Sequence, residues 1–114
     1  MKRRDTGLAP RARDELSPRE QAQGALAQAL ASVDNPDQMT DFLTDLCTPA
    51  EIEALADRWS VVPLLTDRLS YRAVHEQTGV SVTTVGRVAR CLEHGTGGYA
   101  AVLAHMRGAR PSQD

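Results

Sequence analysis

A chain of 114 residues has room for one small domain. Its 41% hydrophobic content includes one Trp, one Phe and two Tyr, so the core must be built from Leu, Val and Ala, and a second subunit is expected to share the burial. A formal net charge of −2 excludes a histone-like protein that holds nucleic acid by bulk charge, and no run of about 18 apolar residues offers a membrane span.

Residues 1–16, MKRRDTGLAPRARDEL, mix Pro, Gly and charges without apolar periodicity and read as a disordered tail. A helical domain is expected over 17–108, followed by a short tail at 109–114. One start signal then appears three times: SPRE at 17–20, NPDQ at 35–38 and TPAE at 48–51. Each supplies an N-cap oxygen, a proline at the first helical position, and Glu or Gln two residues further on, which satisfies amides that have no intrahelical partner.

The first helix is expected to run to about Val33, with Ala22, Leu26, Ala29, Leu30 and Val33 on one face. The second carries Met39, Phe42, Leu43, Leu46 and Cys47 at spacings of three and four. In the third, Ile52, Leu55, Ala56, Trp59 and Val62 form the apolar face, with Trp59 read as dimer core, and Pro63 predicts a kink or break near Val62. Ser70 caps a fourth helix ending at TGV, Ser81 caps a fifth ending near HGTGG, and Tyr99, Val102, Leu103 and Met106 mark a sixth. Period-two alternation is missing throughout, so the expected fold class is all-α, with about six short helices.

Charge is distributed unevenly along this order. Residues 34–57 hold Asp34, Asp37, Asp41, Asp45, Glu51, Glu53 and Asp57 with no Lys or Arg, which reads as a solvated helix face. Residues 69–110 hold Arg72, Arg87, Arg90, Arg107 and Arg110 against Glu76 and Glu93, so the C-terminal half is the part suited to meet an anion. Cys47 and Cys91 without the apolar run of a secretory leader predict a reduced, cytoplasmic protein.

Two short helices joined by a glycine-containing turn form a helix-turn-helix over 70–92, whose second helix lies in the DNA major groove. Val74, Val80, Val85 and Val88 fall where the helices must bury against one another, and Gly79 supplies the left-handed backbone of the turn. Helical geometry then turns Ser81, Val82, Thr83, Gly86, Arg87 and Arg90 mostly outward. Hydroxyls and amides at a helix start suit phosphate, arginine suits guanine O6 and N7, and Val82 or a Thr methyl suits thymine. Arg72 is placed to hold a phosphate, and the Tyr71 hydroxyl either reaches a phosphate or covers the core. The candidate DNA contacts are Ser70, Tyr71, Arg72, Ser81, Val82, Thr83, Thr84, Gly86, Arg87 and Arg90.

Other chemistry is poorly served. Cys91 and His94 have half the spacing of a zinc site, but Cys47, His75 and His105 supply no matching pair, so no metal and no cofactor are expected. A phosphate-binding glycine loop, an H-E-x-x-H motif and a nucleophile–base arrangement are all missing, so no enzyme activity is expected. The alternative readings are a helical protein–protein interaction module that retains the helix-turn-helix shape, and a regulator that responds to a small ligand.

LCTPAEIEALADRW at 46–59, SYRAVHEQTGVSVTTVGRVARCL at 70–92 and GTGGY at 95–99 resemble the Trp-repressor-like proteins, in particular their YerC/YecD branch, over roughly residues 20–106. The resemblance implies an intertwined homodimer that regulates transcription, with two recognition helices one DNA turn apart on a palindromic double-stranded site. It also implies that Arg58 and Arg87 match the two arginines that clasp tryptophan in the amino-acid-sensing relatives, where the residue after the second arginine is a glycine that leaves room for the indole. Here that residue is Val88, so tryptophan is not expected to bind, Arg58 is expected to pair with an acidic neighbour, and Arg87 to face DNA. His75 stands where relatives often carry alanine, and Gly86 where they often carry threonine.

Overall fold

The computed structural model describes residues 15–109, in six helices: α1 Pro18–Ala31, α2 Pro36–Leu46, α3 Pro49–Thr66, α4 Tyr71–Thr78, α5 Val82–His94 and α6 Gly98–Ala109. No strand is present among the described residues, so the all-α class holds. Of the tails expected at 1–16 and 109–114, residues 1–14 and 110–114 lie outside the described residues. Leu16 is tied to the start of α1 by Gln21, whose Nε2 donates to the Leu16 carbonyl at 3.0 Å, and Ala109 closes α6.

Where one helical domain is expected over 17–108, the chain divides into two compact units with the boundary between Thr48 and Pro49. The first contains α1 and α2. The Ser17 hydroxyl accepts the Glu20 amide at 3.1 Å while the Glu20 carboxylate accepts the Ser17 amide at 2.9 Å, a reciprocal cap that closes the start of α1. Asn35 Oδ1 accepts the Gln38 amide at 2.9 Å and starts α2 in the same manner. Neither helix contains a fully buried residue, and Leu26 and Leu46 remain 40% and 47% exposed. Local capping therefore explains where these helices begin, while the apolar side chains within this unit stay partly exposed.

The second unit holds the core. Val61, Val62, Val74, Val80, Val85, Val88 and Leu103 are buried, with Trp59, Leu64, Leu65, Leu69, Leu92 and Tyr99 packed around them. Valine is stiff at χ1 and loses little side-chain entropy on burial, and its short side chain lets helix axes approach closely. α3 packs on α4, α5 and α6, and α4 on α5. Trp59 and Tyr99 meet with ring centroids 6.4 Å apart at a 38° tilt, so the indole joins this chain's own core. Arg107 of α6 reaches Asp67 after α3 at 3.4 Å. Of the expected α6 stripe, Leu103 is buried and Tyr99 half-buried, whereas Val102 and Met106 are exposed.

Of the kink or break expected near Val62, the break does not occur. The helix continues through Pro63 to Thr66, although a proline removes one backbone donor and crowds the turn before it. Val61 and Val62 before it are fully buried, and Leu64 and Leu65 after it pack on the same cluster. Burial on both sides outweighs a local cost of roughly 3 kcal/mol.

The end of α3 is a Schellman motif. The Leu69 amide donates to the Leu64 carbonyl at 3.1 Å and the Arg68 amide to the Leu65 carbonyl at 2.9 Å, with Arg68 at φ 70° in the position that usually holds glycine. A side chain in this left-handed region is crowded by its own backbone. Arg68→Gly is therefore expected to raise unfolding free energy by about 0.5–1 kcal/mol, measured as a higher urea midpoint with an unchanged slope.

Candidate functional site

The α4–α5 pair is assembled from caps, a turn and buried valines. Ser70 Oγ accepts the Ala73 amide at 3.1 Å at the start of α4, and the Gly79 amide donates to the His75 carbonyl at 2.8 Å at its end. Gly79 adopts φ 78°, the left-handed geometry expected of it, and three residues, Gly79, Val80 and Ser81, separate the helices. Val74, Val80, Val85 and Val88 are all buried, as their spacing predicts. The turn is bound further by α4 side chains. Thr78 Oγ1 donates to the Val74 carbonyl at 2.7 Å and accepts the Val80 amide at 3.0 Å, while His75 Nδ1 lies 2.7 Å from the Val80 carbonyl.

With Val85 and Val88 inward, α5 presents Val82, Thr83, Arg87 and Arg90 as an exposed strip, with Gly86 half-buried among them. Val82 is 50% exposed, an apolar side chain left on the outer face of α5. Arg87 and Arg90 have no acidic partner among the described residues, and no Asp or Glu occurs between Gln77 and Leu92. The strip is consequently cationic, with small hydroxyl and methyl groups at its N-terminal end.

The hydroxyl groups divide into two kinds. Ser81 Oγ accepts the Thr84 amide and donates to Thr84 Oγ1, both at 3.1 Å, so Ser81 and Thr84 are occupied with starting α5, as Ser70 is with starting α4. Thr83 stays exposed beside them. From α4, Tyr71 is brought against α5: a Cβ at Gly86 would meet Tyr71 Cε2 at 3.7 Å, an ordinary contact, so nothing within the chain requires glycine there. The Arg72 side chain is 80% exposed and reaches Glu76 at 3.6 Å, an exposed pair across one helical turn of the kind that contributes only a few tenths of a kcal/mol.

Arg58 does not form the expected ion pair, since no acidic group among the described residues reaches its half-buried side chain. It sits on the mainly apolar α3, where Glu51 and Glu53 are exposed a turn or more away along the axis, and the adjacent Asp57 leaves the helix about 100° around from it. Val88 is 1% exposed and belongs to the valine cluster. Among the described residues no group of three His, Cys, Asp or Glu side chains is placed to share a metal ion, and Cys47 and Cys91 are free thiols. Among the described residues no helix is long and apolar enough to cross a membrane. The side-chain bonds of His75 and Thr78 to Val80 and the left-handed Arg68 are absent from the sequence reading. The two bonds depend on atoms brought together by folding, and a positive φ at Arg68 has no sequence signature.

Known proteins share this arrangement. The family model for the Trp repressor protein matches residues 21–107. A Bacillus subtilis (strain 168) protein, the uncharacterized protein YerC, is 33% identical over 82 residues, covering 72% of this chain and 79% of that protein. The crystal structure of a TrpR-like protein from Eubacterium eligens ATCC 27750 superposes with a TM-score of 0.70 at 33% identity, covering 87% of this chain and 99% of that one. A Staphylococcus aureus protein described as a candidate Trp repressor gives a TM-score of 0.71 at 30% identity, covering 75% and 86% of the two chains. With the helix-turn-helix, the family model and these relatives in agreement over most of its length, the chain belongs to the TrpR-related family that includes YerC, a family of DNA-binding regulators.

Proposed function

We propose that the chain is a sequence-specific regulator of transcription, most simply a cytoplasmic repressor, that reads the major groove of double-stranded DNA with α5. The observation that carries this reading is the exposed strip of Val82, Thr83, Arg87 and Arg90, cationic and free of acidic residues, on a helix whose opposite side is anchored by fully buried Val85 and Val88. A rigid helix can insert its side chains at defined positions along a base-pair edge, whereas a loosely held one cannot. Arg87 and Arg90 suit guanine, and Val82 and the Thr83 methyl suit thymine. The hydrogen bonds of Ser70, Ser81 and Thr84 make them shapers of the interface, leaving phosphate to the exposed amides of the helix starts, to Arg72 and to Tyr71.

A homodimer is part of the proposal. α1 and α2 expose apolar side chains and bury none completely, which supports a second copy as the surface that covers them. Two-fold symmetry then implies a palindromic site with half-sites one helical turn apart. Tryptophan is excluded from the proposal. In the amino-acid-sensing relatives the position of Val88 is a glycine, and here the valine fills that space as part of the core.

Three measurements bear on this reading. For binding to a duplex selected from random DNA, log affinity is expected to fall linearly with log salt, with a slope on the order of −3 to −6 for the dimer, whereas a protein-binding module would give no such duplex dependence. Arg87→Ala is expected to lower discrimination between that duplex and random DNA by about 1–3 kcal/mol, while Arg72→Ala weakens binding to both alike. Added L-tryptophan is expected to leave both the melting temperature and the affinity for the selected duplex unchanged, and a rise in either would establish a ligand-responsive regulator.

A further inference from the structure

We infer that His75 is a positioning residue for the recognition helix, acting through the peptide groups of Val80; the inference rests on the DNA-reading role proposed for α5. Val80 lies between the left-handed Gly79 and the cap Ser81, outside both helices, and is 5% exposed. Its amide and carbonyl therefore have no helical partners, and leaving such groups unpaired in a buried turn is costly. Both are met by α4 side chains. The amide donates to Thr78 Oγ1 at 3.0 Å, and the carbonyl faces His75 Nδ1 at 2.7 Å.

A carbonyl oxygen only accepts, so Nδ1 must carry the proton and the neutral ring is the tautomer with a bare Nε2. The imidazolium donates from Nδ1 as well, so either protonation state keeps the bond. Thr78 is itself anchored, its hydroxyl donating to the Val74 carbonyl at 2.7 Å. The two side chains thus clasp the residue from which α5 departs, on opposite sides of its Cα. Because Val80 precedes the Ser81 cap, a rotation of its carbonyl plane is carried into the direction of the whole α5 axis. Small angular errors there displace Arg87 and Arg90, about two to three turns further along, by more than a base contact tolerates.

The side chain is mostly outside the core, since His75 is an exposed residue whose contact with the turn is made by one ring nitrogen. An apolar or small replacement would leave the valine packing of the pair in place and remove the donor alone. The structure thereby separates holding the helices together, which the valines do, from fixing the angle between them, which the clasp does.

The test compares the full chain with its His75→Ala and His75→Asn variants, because the asparagine amide presents an N–H donor close to where Nδ1 stands. The probe is the duplex recovered by the unaltered protein from random DNA. Alanine is expected to reduce the ratio of selected-duplex to random-duplex affinity about tenfold, and asparagine to restore most of it. His75→Ala should melt somewhat below the unaltered protein, because the Val80 carbonyl loses its partner and the better helix propensity of alanine offsets only part of that loss. An unchanged ratio for His75→Ala, or a loss that asparagine fails to restore, overturns the inference. In the free protein, nitrogen NMR of the ring should show the proton on Nδ1 at alkaline pH, and a proton on Nε2 overturns the inference without DNA. If the unaltered protein selects no duplex, the DNA-reading role falls by itself. The ring tautomer, together with faster amide exchange at Ser81 and Val82 in His75→Ala that asparagine reverses, then decides the clasp.

Discussion

The burial of valine against valine between α3, α4 and α5 is the constraint on which the rest of the molecule depends. Val61, Val62, Val74, Val85 and Val88 are essentially inaccessible to solvent, and together they hold a short helix of eight residues and one of thirteen that would be marginal in isolation. Each valine contributes only about 1.5–2 kcal/mol of transfer free energy, so the cluster works by number and close fit. The same packing carries α3 through Pro63, and it takes in Val88, the residue that follows Arg87.

Once the valines hold the helices, the polar side chains are free to specialise. Ser70, Ser81 and Thr84 complete helix starts, and Thr78 and His75 complete the turn. The arginines of α5 take no part in that internal bonding. An arginine paired to a neighbouring carboxylate would have to exchange that partner for a base or phosphate, at a desolvation cost. Arg87 and Arg90 have no such partner to give up among the described residues, and the acidic residues that make the chain net negative fall mostly before Arg58 in the sequence. Charge segregation of this kind reconciles an overall −2 with a cationic recognition strip.

Burial is also segregated. The second unit has its own core, whereas α1 and α2 have well-formed caps and no core residue of their own. Caps define where a helix starts but contribute about 1 kcal/mol each, far less than an apolar face needs to be stably covered. The homodimer proposed above would complete the first two helices through a second copy and so couple folding to the two-fold symmetry of the assembly.

The sequence alone determined the six helices, five of the boundary residues that cap or turn them, Ser17, Asn35, Ser70, Gly79 and Ser81, the buried sides of α4 and α5, and the family. These follow from local rules: a side-chain oxygen two or three residues before an unpaired amide, a glycine at a left-handed position, and apolar spacing of three and four. Tertiary structure decided the rest. Whether Pro63 ends its helix depends on how much is buried on either side, whether Arg58 finds an acid depends on what folds beside it, and whether Thr84 offers its hydroxyl to DNA depends on the rotamer of Ser81. The clasp of His75 on Val80 joins two residues five positions apart across a change of chain direction. Periodicity places residues on faces but says nothing of hydrogen-bond geometry, because that geometry exists only after the valines have closed the turn.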